Sequence, residues 1–90
     1  MKYEIGQVVI FKENLDNRYL VLATKTQNLN DEYLNSKNGN FKIKDIDKIA
    51  KTNLSVTLGS HYKIGEIIGN ENGNSIIGKL VSAFEDDLQI

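Results

Sequence analysis

Between Gly6 and Lys25 two runs of β-branched, aliphatic and aromatic residues, Val8-Val9-Ile10-Phe11 and Tyr19-Leu20-Val21-Leu22-Ala23, flank the segment Asn14-Leu15-Asp16-Asn17. Apolar runs of this length separated by turn residues specify a β-hairpin. With the turn at 14–17, Glu13 faces Arg18, Phe11 faces Leu20 and Val9 faces Leu22. Such pairing sets opposite charges beside the turn and apolar residues behind it, as cross-strand energetics favours. Both faces of each run are apolar, the pattern of a strand covered on both sides.

The rest of the chain repeats the device. Asn38-Gly39 and Asn72-Gly73 are the preferred dipeptides of two-residue type I′ hairpin turns. Counting outward from the first sets Ser36 against Phe41 and Leu34 against Ile43. Counting from the second sets Ile68 against Ile77, Glu66 against Lys79 and Ile64 against Val81. Between the two turns, Ile46, Ile49 and Ala50 recur at helical spacing behind Asp45, which predicts a short helical turn over 46–51 with Asn53 closing it. Leu54-Ser55-Val56-Thr57-Leu58 alternates like a half-buried strand, and Gly59-Ser60 turns the chain into its last third.

The C-terminal third has a competing reading. Ile76, Ile77, Leu80, Val81, Phe84 and Leu88 also fit one face of a helix capped by Ser75, which makes an α+β fold with a helix over 75–88 the alternative. Gly78 inside that helix and Glu85-Asp86-Asp87 at its negative end argue for the strand. The expected fold is therefore mainly β: three hairpins and a short helical turn in a single small domain over 1–90, closed or half-closed into a small barrel or sandwich.

Tyr3-Glu4-Ile5-Gly6-Gln7-Val8-Val9 and Tyr62-Lys63-Ile64-Gly65-Glu66-Ile67-Ile68 share one pattern, which reads either as a duplication or as the common way a strand begins. The lead-in Ile5-Gly6-x-Val8 followed by a hairpin resembles the opening of small SH3-like barrels, including the KOW-type modules. The resemblance covers about the first 25 residues. Those modules place glycines in the hairpin turn, where this chain has Asn14-Leu15-Asp16-Asn17, and no functional residue carries over.

Composition narrows the chemistry. Ninety residues, 40% hydrophobic and 26% charged, describe a globular domain with a thin core. Eleven basic residues against twelve acidic ones, with Arg18 the single arginine, speak against a nucleic-acid partner. Cysteine is absent, so disulfide and thiolate chemistry are excluded. Met1-Lys2-Tyr3-Glu4 has none of the apolar run of a signal peptide, and Val8 to Phe11 is far too short to span a bilayer. A cytoplasmic location follows as the expectation.

No residue set reads as a catalytic, cofactor or metal site. His61 is the sole histidine and reads as a turn or edge-strand residue beside Tyr62. Asp45, Asp47 and Glu85-Asp86-Asp87 are the densest carboxylates, but neighbours on a strand point to opposite faces and cannot converge on one cation. The glycines form no phosphate cradle. The seven aromatics fall where core residues are expected.

A non-catalytic binding protein is thus the expectation: an accessory, inhibitor or immunity-type factor of a bacterium or mobile element, with a nucleic-acid-associated barrel as the alternative. A hairpin apolar on both faces leaves one face surplus in so small a domain, and exposed apolar patches mark interaction sites. Val8, Ile10, Tyr19 and Val21 are the candidate interface, with Val9, Phe11, Leu20 and Leu22 as the alternate set. A homodimer packed through this hairpin is expected, with a heteromeric protein partner on the same patch as the alternative.

Overall fold

A computed structural model describes residues 2–27, 41–45 and 54–90. The expected hairpin partner 34–36 of Phe41–Ile43, the Asn38-Gly39 turn and the helical turn 46–51 lie outside the described residues.

Among the described residues six strands make one mixed sheet: β1 (Val8–Phe11), β2 (Asn14–Thr24), β3 (Phe41–Ile43), β4 (Tyr62–Glu71), β5 (Asn74–Ala83) and β6 (Leu88–Gln89). Their order is β3-β5-β4-β2-β1-β6, and a 3-10 turn over Glu85–Asp87 leads from β5 into β6. The mainly β expectation holds, and the helix over 75–88 does not form. Among the described residues the sheet is open rather than a closed barrel. Its outer strands are a three-residue β3, paired parallel to β5, and a two-residue β6, and neither reaches the other to close a ring.

The β4–β5 hairpin is organised by its turn. Asn72 at φ 53° and Gly73 at φ 83° are both left-handed, as a type I′ turn requires. Glu71 then pairs with Asn74, and the same count continues to Ile64 opposite Val81 and Tyr62 opposite Ala83. In the middle the ladder shifts twice and back again, so Ile67, not Ile68, pairs with Ile77. Ile68 is the extra residue on β4 and stands half exposed. Gly65 sits just before these shifts, where an added Cβ would run into the side chains of Ile77, Leu22 and Leu80. The bare backbone lets those residues close over the strand.

The β1–β2 hairpin differs from its expected register. Its turn is Lys12-Glu13, with Phe11 opposite Asn14, and the segment 14–17 belongs to β2. Neither turn residue has positive φ, so the turn is not of the primed kind, and an unprimed turn splays the arms. Leu15 to Arg18 accordingly stand opposite Ile10 alone before Val9 meets Tyr19 and Val8 meets Leu20. The slip from the expected count is an odd number of residues. It carries β1 to the other face relative to β2, because side chains alternate.

Both faces of β2 are covered from Tyr19 onward, as the double-sided apolar pattern of that run predicts. Every residue from Tyr19 to Thr24 is buried. On one face Val9, Tyr19, Val21, Tyr62, Ile64 and Ala83 pack with Tyr3 and Leu88. On the other Leu20, Leu22, Ile43 and Ile77 pack with Leu54. Burying such an aliphatic side chain is worth about 1.5–3 kcal/mol. Segment 54–58 is not a strand, although it alternates: Ser60 N donates to Thr57 O, closing a turn, and no strand among the described residues pairs with it. In the echo, Tyr62 to Gly65 is strand whereas Tyr3 to Gly6 is not.

Candidate functional site

The four candidate interface residues do not form one exposed patch. Tyr19 and Val21 lie inside the chain's own core with Val9, and the Tyr19 ring meets Phe11 edge-on at 5.0 Å. Val8 is 38% exposed and Ile10 half-buried, on the opposite side of the strand from Val9. The surplus face anticipated for this hairpin is taken up internally, by Tyr3 and Leu88 on one side and Leu54 on the other.

What the hairpins leave open is the gap between their tips. β2 pairs with β4 only from Tyr19 opposite Glu66 to Thr24 opposite Tyr62. Beyond that, Asn14–Arg18 and Ile67–Glu71 diverge, and each has an edge with no neighbour among the described residues. Arg18, Ile67, Ile68, Gly69, Asn70 and Ser75 line a cavity of about 380 Å³ at this divergence. A shallower hollow of about 580 Å³ continues from Ile68 and Ile76 toward Lys42 in β3 and Lys44 just after it.

Two polar clusters flank the core at the other end of β4. The Tyr62 hydroxyl donates to Glu85 Oε1 (2.7 Å) and accepts Tyr3 N–H (3.0 Å), while Lys2 N–H donates to the same carboxylate (2.8 Å). Burial pushes the Tyr62 phenol up and the bond to Glu85 adds to it. The same bond, then the Lys2 N–H, holds the Glu85 carboxyl down. His61 Nδ1 accepts the backbone N–H of Glu85 (2.8 Å), leaving its proton on Nε2, and the ring packs edge-on against Tyr62 and Phe84. The histidine meets Glu85 through backbone, not carboxylate, so it pins the 3-10 turn to β4.

The second cluster was not singled out by its sequence. Lys63, 9% exposed, donates from Nζ to Thr57 Oγ1 (3.1 Å) and Ser82 Oγ (3.2 Å), and those hydroxyls lie 2.7 Å apart. The register counted from Asn72-Gly73 already sets Lys63 opposite Ser82, and that was the available signal. Thr57 arrives from the irregular segment and has no such signature.

Among the described residues no three His, Asp or Glu side chains converge as metal ligands, and no helix is long and apolar enough to cross a membrane. Comparison with protein-family models, curated proteins and solved structures finds no match.

Proposed function

We propose that this chain is a non-catalytic protein-binding domain that takes an extended segment of a partner protein into the gap between its two hairpin tips. The observation that carries this reading is the edge of β4 from Ile67 to Glu71, which has no partner among the described residues and whose opposite edge is held by β5. A strand edge with free N–H and C=O groups recruits another strand, and main-chain bonds supply the affinity. Exposed edges are ordinarily blunted by lysine or proline. Here the stretch is Ile67-Ile68-Gly69-Asn70-Glu71, without either. Arg18 lines the same cavity and makes no ion pair among the described residues, so the fitting partner segment carries a carboxylate opposite it.

The test is amide shift mapping of the folded domain with arrayed extended peptides, acidic and neutral. Shifts are expected at 67–71 and 14–18, stronger for acidic peptides and reversed in charge preference by Arg18→Glu. Perturbation confined to β3 or β6, or none by any peptide, would overturn the reading. Light scattering over a dilution series adds the second copy as an outcome: a dimeric mass with the same amides protected places that copy in the gap.

A further inference from the structure

We propose that Lys63, Thr57 and Ser82 form a binding site for a carboxylate attached to an apolar group, separate from the gap between the hairpins. Lys63 and Ser82 are direct cross-strand partners, and the Thr57–Ser60 turn folds Thr57 over them. Lys63 is buried as a residue, yet no carboxylate among the described residues pairs with its ammonium.

Counting donors shows what the trio lacks. The ammonium has three N–H groups, of which two go to the hydroxyls. One hydroxyl proton is used in the bond between Thr57 and Ser82, and the other remains. Among the described residues one N–H and one O–H are thus left, on a trio in which Thr57 and Ser82 are exposed residues, with a single positive charge behind them. Two donors and one charge match the two oxygens and single charge of a carboxylate. The rim supplies the apolar half. Leu58, next to Thr57, is fully exposed at 102%, and Phe84, on the same side of the chain as Ser82, is 49% exposed. These exposed apolar side chains, close in sequence to the hydroxyls that hold a cation with no carboxylate partner among the described residues, suit an amphipathic ligand.

The carboxylate could belong to a free aliphatic acid or to the C-terminus of a peptide, and the experiment separates them. Isotope-labelled wild-type protein is titrated with hexanoate, with an acetylated tripeptide ending in leucine carboxylate, and with hexanamide and the same peptide as its amide. Saturable shifts at Thr57, Lys63 and Ser82 are expected for at least one carboxylate. Its amide should bind about tenfold more weakly or worse. Ser82→Ala should weaken the carboxylate while leaving the amide unchanged, and Lys63→Gln should remove the preference. Preference for the acid names a free ligand, and preference for the peptide names a chain terminus. Equal binding of acid and amide in wild type, or shifts that map elsewhere, would overturn the site without reference to any variant.

Discussion

Tyr62 joins three separate parts of the chain through one oxygen: its hydroxyl donates to Glu85 at 2.7 Å while taking the N–H of Tyr3 at 3.0 Å. The Tyr3 ring lies 5.6 Å from the Tyr62 ring, and its own hydroxyl donates to Leu88 O. The lead-in, β4 and the turn before β6 are closed around this one buried side chain. Through it the polar cluster and the core face built on Val9, Val21 and Ile64 are parts of one structure.

Tyr62→Phe keeps the ring and deletes the junction. It leaves the Tyr3 N–H without its partner in a buried site, which costs about 1–3 kcal/mol in urea unfolding. The pH profile changes too. Glu85 has a folded value below its unfolded one, so its contribution is present above about pH 4.3 and is lost as pH falls through the folded value. Tyr62 has a folded value above its unfolded one, so its contribution is present below about pH 10 and is lost as pH rises through the folded value. The phenylalanine variant should lose the alkaline fall attributable to residue 62 and show a shallower acid fall. An unchanged profile at both ends would exclude the junction.

Gly73→Val is expected to cost more than Gly69→Ala. Position 73 holds φ 83°, which a β-branched residue resists, at roughly 1–2 kcal/mol or more. An added Cβ at Gly69 meets nothing within 4 Å, and its backbone is ordinary, so the change should stay within about 0.5 kcal/mol. Paired thermal melts measure the difference.

Val9→Ala and Val8→Ala separate the observed register of the first hairpin from its neighbours. Val9 is wholly buried opposite Tyr19, and its truncation should cost about 2 kcal/mol. Val8 is 38% exposed, and its truncation should cost under about 1 kcal/mol. Equal losses in denaturant titrations would mean that the two faces are equally covered.

The second hairpin was legible because its turn is chemically decisive. Asn72 and Gly73 tolerate positive φ at little cost, so the turn sits where they sit and the pairing at both ends of β4 and β5 follows by counting. The mid-strand shifts at 65–69 were not countable. They lie beside Gly65, whose bare backbone passes close under Ile77 and Leu22, a contact between residues far apart in sequence. The gap between the hairpin tips depends on those shifts and on the splayed first turn, and so was invisible for the same reason.

What the sequence determined by itself was the β class, the Asn72-Gly73 turn and the covering of the Tyr19–Ala23 run on both sides, because these rest on local φ preference and on apolar content. The register of β1 against β2 was decided by tertiary structure. With apolar residues on both faces, a slip of an odd number of residues exchanges one oily face for another and costs little locally. Docking of Tyr3 and Leu88 onto Val9 and Tyr19 breaks that tie. Segment 54–58 shows the converse. Its alternation suits a strand, but a strand exists only where another backbone offers hydrogen bonds. The chain instead turns at Gly59, buries Leu54 and leaves Leu58 in water.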